Sequence, residues 1–351
     1  MRVGIRVPPC DRADRVLETV RRAERLGFDD VWFPDSQLLW RDVFTTLTAA
    51  ALGTDRIGLG TAVTNLATRH PAVVASAARS VAELAPGRFT LGLGVGNSSV
   101  GPVGLRQSTS AAMREGIGML RALLAGEEWE FPGGVRSRLR DPGPGSPRSS
   151  RSPGNPGNPG TGIPLHLAAS GPKNLRLAGE IADGVILLSG VSPRTLAQAT
   201  ARVREGAAGR EGRLPLTVSA FCAVTDDIEA EARQLKPICA SIAQNGGAPF
   251  LALAGIDVHV PEKVEGIYPD LVHAEDWKAA VDICSAWISD ENALRFAEEF
   301  CLFGTADEIA ARLRALPASG VTGVFLQHVG SYDPPTDLIE AVGSAVLPRL
   351  N

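Results

Sequence analysis

Eight short apolar runs, spaced by stretches with a helical repeat, constrain this chain more than any other feature: residues 3–7, 30–33, 57–61, 89–94, 165–168, 184–188, 217–224 and 323–327. Strand and helix in alternation predict a parallel sheet with its helices outside. Between the first two runs, residues 12–26 place Val16, Leu17, Val20, Ala23 and Leu26 on one helical stripe, and a Gly27-Phe28-Asp29-Asp30 turn follows. Residues 71–84, 106–124, 172–181, 193–203 and 305–316 read as comparable helices, several with proline near the first turn. Eight such units account for the 351-residue length and for strands apolar on both faces, so the expected fold is a (β/α)8 TIM barrel, one domain over residues 1–351. The rival, a doubly wound open sheet, would carry GxGxxG after its first strand; here that turn is Pro8-Pro9-Cys10-Asp11.

Two stretches break the rhythm. Residues 132–164 crowd Pro, Gly, Ser and Arg together with almost nothing apolar to bury, which predicts a flexible loop between the fourth helix and the fifth strand. Its arginines, Arg136, Arg138, Arg140, Arg148 and Arg151, either meet an anionic tail or are simply solvated. Residues 229–300 are mostly helical with no evident strand, an insertion between strands seven and eight that covers one side of the barrel mouth. A net charge of −4 gives no reason to bind nucleic acid or an anionic membrane, and no apolar run reaches the roughly 18 residues of a membrane span. The opening MRVGIRVPPC shows neither a secretory signal nor a transit peptide, which points to the cytoplasm. Cys10, Cys222, Cys239, Cys284 and Cys301 are odd in number, scattered and without a CxxC pair, the pattern of neither a disulfide framework nor a zinc site.

In such barrels the reactive groups lie at the C-terminal ends of the strands. Those ends hold few acids or bases: there is no Ser/His/Asp motif, no HExxH and no carboxylate cluster for a metal, so chemistry supplied by an organic cofactor fits better. Gly94 and Gly96 leave main chain open to a ligand, or simply make a tight turn. Ser170-Gly171-Pro172-Lys173 either binds an anion at a helix start or merely caps that helix. Asp35 either orients a heterocycle or N-caps the next helix, and Trp40 is either a flat wall for substrate or a core anchor. His70 reads as a bonded residue at the start of the third helix and His166 as a satisfied barrel histidine, while His328, at a strand end, is the histidine placed for substrate contact.

These strand ends resemble the luciferase-like monooxygenase superfamily in its coenzyme F420-dependent branch, the methylenetetrahydromethanopterin reductases in particular. The resemblance rests on Leu59-Gly60-Thr61-Ala62-Val63-Thr64-Asn65 with Arg69-His70-Pro71, on Gly87-Arg88-Phe89 running into Gly92-Leu93-Gly94-Val95-Gly96, and on Ala169-Ser170-Gly171-Pro172-Lys173. It continues through Leu177-Ala178-Gly179-Glu180-Ile181-Ala182-Asp183-Gly184 and, later, Gly255-Ile256-Asp257, Gly304-Thr305 and Gly320-Val321-Thr322. It implies a dimeric barrel with a bulge after strand three that holds a non-prolyl cis peptide, here Ala62–Val63, against one face of a deazaflavin. It further implies ring or ribityl contacts from Asp35, Ala62, Val63, Asn65, Gly94, Gly96, Asn97 and Ala169, with Ser170, Gly171, Pro172 and Lys173 at the phosphate end.

The chain also departs from that pattern. Arg6 and Asn97 stand where the reductases carry acids, and Ser36 stands where sugar-phosphate and alcohol oxidoreductases of the branch carry a histidine. The function implied is hydride transfer between F420 and a small organic substrate, reducing an activated C=N or C=C bond, with Arg6 favouring an anionic or electron-withdrawing group and Ser36 relaying a proton. The alternatives are an FMN-dependent monooxygenase of the same superfamily and a non-catalytic cofactor-binding barrel.

Overall fold

Burial decides which runs become strands. In the computed structural model, which describes residues 1–140, 162–330 and 332–350, the eight apolar runs form β1 (Arg2–Arg6), β2 (Asp30–Phe33), β3 (Gly58–Thr61), β4 (Phe89–Gly94), β5 (Leu165–Ala169), β6 (Gly184–Leu187), β7 (Leu216–Val224) and β8 (Gly323–Gln327). Each pairs in parallel with the next, and β8 closes on β1 with Gly4 opposite Phe325, so the sheet is a barrel without free edges.

Alternate residues of each strand face opposite ways. One set, including Ile5, Val31, Phe33 and Leu326, joins the large core between sheet and helices. The other gives a small separate cluster of Trp32, Ile186 and Phe325, with Trp32 and Phe325 stacked at a centroid distance of 5.4 Å. Arg6 pairs in register with Trp32 and so shares its face.

The helices around the barrel are α1 (Ala13–Arg25), α2 (Val43–Gly53), α3 (Pro71–Leu84), α4 (Ser110–Leu124), α5 (Pro172–Ile181) and α6 (Pro193–Gly206). Between β7 and β8 come α7 (Ile228–Arg233), α8 (Lys236–Ile242), α9 (Ala248–Leu253), α10 (Trp277–Cys284) and α11 (Asp290–Phe300), then a short strand, Leu302–Gly304, beside the end of β7. The buried Lys236 ammonium ties three of these helices together, bonding Asp290 at 2.6 Å and Ser285 at 2.9 Å. Helix α12 (Ala306–Ala315) follows, entered through a capping box of Thr305 and Glu308, and α13 (Thr336–Ala341) comes after β8.

Three elements differ from the sequence reading. The fourth helix begins at Ser110 with Thr109 as its cap, not at 106, and α2, expected after Asp35 without bounds, runs Val43–Gly53 with Asp42 rather than Asp35 as its cap. The stretch expected to be loop from 132 opens with Val135–Ser137, which pairs antiparallel with Trp129–Phe131. Residues 141–161 of that stretch, with Arg148 and Arg151, lie outside the described residues. Among the described residues no helix is long and apolar enough to cross a membrane, and no group of metal-ligating side chains occurs.

Candidate functional site

The site is built on the bulge that leaves β3. The Thr61 hydroxyl donates to the Gly92 carbonyl at 2.7 Å, the Ala62–Val63 bond is cis, and Thr64–Asn65 resumes pairing beside Leu93 and Gly94. Gly94 is required by this packing: a Cβ there would sit 2.6 Å from Val63 Cγ2. Gly96 has φ of 82°, a left-handed conformation that glycine adopts without strain.

A buried ion pair fixes the bulge from behind. Arg69 donates to both Asp35 carboxylate oxygens, at 2.8 and 3.0 Å, and reaches Asp42 at 2.7 Å, while Thr64 Oγ1 donates to Asp35 at 2.6 Å. Burial alone would lower the affinity of the Arg69 guanidinium for its proton; the two carboxylates outweigh it and raise its pKa. Asp35 therefore holds the bulge rather than offering a free carboxylate to a heterocycle, and the cap of α2 is Asp42, which accepts from Thr45 N–H. Asn65 is likewise committed: its Oδ1 accepts from the Ala67 and Thr68 N–H groups and the Thr68 hydroxyl, and its Nδ2 donates to Ser99 Oγ.

Around the bulge lies a cleft of about 280 Å³ at the ends of β1 to β5. It brings together Arg6, Asp35, Ser36, Ala62, Val63, Asn65, Gly94, Gly96, Asn97, Ala169 and Ser170, all expected from the sequence. Its floor is main chain and small side chains. The hydroxyls of Ser36 and Ser98 share a hydrogen bond of 2.7 Å, and Asn97 is exposed, accepting weakly from Gln107 at 3.4 Å. Just beyond, Gly171 is the N-cap of α5 with no side-chain cap, so Ser170 does not take the capping role. Pro172 opens the helix and Lys173 is exposed; these two and Gly171 lie beside the cleft rather than lining it.

A larger cavity of about 810 Å³ adjoins the cleft and shares Arg6, Asn97 and Ser98 with it. Its other walls come from Leu38 and Leu39 and from the connection between α9 and α10, which sequence reasoning left without roles. There the Asp270 carboxylate accepts from the Val272 and His273 N–H groups and binds His273 Nδ1 at 2.9 and 3.0 Å. Burial pushes the Asp270 carboxyl up, but the His273 ring and these N–H groups outweigh it and hold it below its ordinary value. With Nδ1 engaged, Nε2 is the ring nitrogen left to His273, which lines both cleft and cavity. A third, more apolar cavity of about 240 Å³ opens between Phe221, Ile238, Phe296 and Phe300.

Trp40, His328 and His166 stand in surroundings other than those expected, whereas Arg6 stands where it was expected. Trp40 is 6% exposed, with its ring against His273 and Tyr332, so it backs the cavity wall rather than forming it. His328 lines none of these cavities; its buried Nε2 is unpartnered, and burial, aided by the charge of Arg6, lowers its pKa to about 4. His166, on β5 beside Trp32, is not satisfied: its Nδ1 has no partner, and burial lowers its pKa to about 4. Arg6, expected at a strand end, is there, but among the described residues no carboxylate pairs with it, and burial lowers its pKa to about 10. His70 does cap α3, accepting from Ala72 N–H at 3.2 Å.

Comparison with known proteins places this geometry among relatives. A family model described as luciferase-like monooxygenase matches residues 1–323. Over 330 residues the chain is 30% identical to 5,10-methylenetetrahydromethanopterin reductase of Methanolobus tindarius, covering 92% of this chain and 93% of that one. Over 181 residues it is 38% identical to F420-dependent glucose-6-phosphate dehydrogenase of Beutenbergia cavernae, about half of each chain at 48% and 50%. The solved structure of coenzyme F420 dependent tetrahydromethanopterin reductase from Methanopyrus kandleri is similar with a TM-score of 0.75 at 26% identity, covering 100% of this chain and 99% of that one.

Proposed function

The chain belongs to the luciferase-like monooxygenase family, and from that premise we propose that it is an F420-dependent oxidoreductase acting on a small organic substrate. The observation that carries this reading is the cleft over the Ala62–Val63 bulge, floored by main chain and small residues. Such a floor suits a planar heterocycle, and the Asp35 carboxylate at its edge is already engaged by Arg69 and Thr64. When bound, F420 supplies the hydride donor or acceptor.

The protein's part is positioning. Ala62, Val63, Gly94, Gly96 and Ala169 support the ring, with Asp35 and Asn65 holding those supports from behind. Asn97 and Ser170 lie toward the side chain, and the N–H groups at the start of α5, with Lys173, take the phosphate end. The Ser36–Ser98 hydroxyl pair and the His273 imidazole, oriented by Asp270, are the groups that hold a proton beside the acceptor. Residues 229–300 cover the mouth and exclude water. The reaction is reduction of an activated C=N or C=C bond by a cytoplasmic homodimer, each barrel one domain over residues 1–351.

Fluorescence titration tests the cofactor. F420 binds at micromolar concentration and FMN does not; the reverse order would overturn the reading in favour of the oxygen-activating branch. The Lys173→Ala, Gly171→Val double variant raises the Kd for F420 at least tenfold without lowering the unfolding midpoint, since a Cβ at Gly171 meets nothing within 4 Å.

A further inference from the structure

Arg6 presents an unusual combination. It stands on the lumen-side face of β1 beside Trp32, at the junction of the cleft and the 810 Å³ cavity, with protein around it but part of its surface open. Arg69, behind the bulge, is matched by the Asp35 and Asp42 carboxylates. Arg6 is matched by none among the described residues; burial acts on it unopposed. A buried cation without a counter-charge costs stability, and such a cost is retained where a ligand completes the pair.

We propose that Arg6 binds a carboxylate of the substrate, which occupies the 810 Å³ cavity with its reducible bond toward the bulge. The inference rests on the oxidoreductase reading for the word substrate, but the anion site is a property of the cavity alone. Three observations select a carboxylate over other anions. The guanidinium fork matches one carboxylate with two parallel hydrogen bonds. Among the described residues it is the only Arg or Lys lining the cavity, so these supply one fixed positive charge rather than the two or more that a phosphate dianion favours. The acids of this cavity are placed elsewhere: Asp270 is occupied by His273, and Glu275 is exposed to solvent. The cavity is also large enough for a substrate well beyond a simple acid, since ligand pockets commonly span about 300–1,000 Å³.

The test uses the full chain without cofactor, with benzoate and inorganic phosphate as calorimetric probes, and native protein beside Arg6→Gln and Arg6→Lys. Benzoate binds the native protein more tightly than phosphate; Arg6→Gln weakens it at least tenfold and Arg6→Lys less. Removing an uncompensated cation also raises the thermal midpoint of Arg6→Gln, a readout that a merely structural arginine would move the other way. Benzoate binding equal in native and Arg6→Gln proteins, no benzoate binding at all, or preference for phosphate would overturn the proposal. A tenfold loss of F420 affinity in Arg6→Gln would overturn it too, by assigning the cation to the cofactor. If F420 fails to bind even the native protein while the benzoate result holds, the anion site stands and the cofactor reading falls.

Discussion

At the residue scale, most polar groups of the cleft are employed in holding main chain, and this separates roles that the sequence leaves merged. The Asp35 side chain is 3% exposed and that of Arg69 21%. Removing the charge from one member of a buried pair strands the other, at a cost of about 3–5 kcal/mol when nothing compensates. Asp42 remains to Arg69, so Asp35→Asn is expected to cost about 2–3 kcal/mol of unfolding free energy, read from urea melts. F420 affinity falls with it because the bulge loosens. A variant of native stability with weakened binding would instead make Asp35 a direct ligand. Gly94→Ala acts on the same bulge from the other side: with its Cβ 2.6 Å from Val63 Cγ2, overpacking is expected to cost about 1–3 kcal/mol and to raise the F420 Kd at least tenfold. Unaltered affinity in a folded Gly94→Ala protein would remove the bulge from the binding site.

At the element scale, what was legible followed from periodicity. The eight barrel strands are apolar because both faces are covered, and they emerge within a residue or two of where their hydrophobic runs lie. The bounds of helix α2, which was expected only as the helix after Asp35, were illegible for the opposite reason: VFTTLTAAALG is apolar on nearly every side, so no stripe marks where it starts and stops. Its end is fixed by tertiary contacts, since Arg88 donates to the Ala51, Thr54 and Ile57 carbonyls and to the Thr54 hydroxyl. Arg88 precedes β4 at the barrel end opposite the cleft, so Arg88→Met is expected to cost about 2–3 kcal/mol of stability while F420 affinity stays native. Weakened F420 binding in a folded Arg88→Met protein would contradict that separation. The Asp270–His273 pair lies between helices where no repeat operates; its signal, an acid three residues before a histidine, is too common to identify without the fold. Ser170 failed as a cap because the chain enters α5 one residue later, at Gly171.

At the scale of the whole molecule, a histidine on β5 and another just past the end of β8 make the barrel's stability depend on pH in a definite direction. His166 and His328 are each held neutral by burial, with pKa values lowered from 6.5 to about 4. The unfolded chain takes up these protons near pH 6.5 and the folded barrel only near pH 4, so stability is full above the upper value and is lost as pH falls through that window. Below about 4 both states are protonated and the loss levels off. At pH 5 the linkage amounts to about 2 kcal/mol per ring relative to neutrality. Carboxylates with lowered pKa values, such as Asp42 and Asp270, add their own loss at lower pH, as they protonate. Urea midpoints measured at pH 7 and pH 5 should therefore separate by more in the native protein than in the His166→Leu, His328→Leu double variant. Arg6→Gln should narrow the gap by a smaller amount, because the Arg6 charge is one of the forces keeping His328 unprotonated. Equal acid sensitivity in native and doubly substituted proteins would place its source in the carboxylate pairs instead.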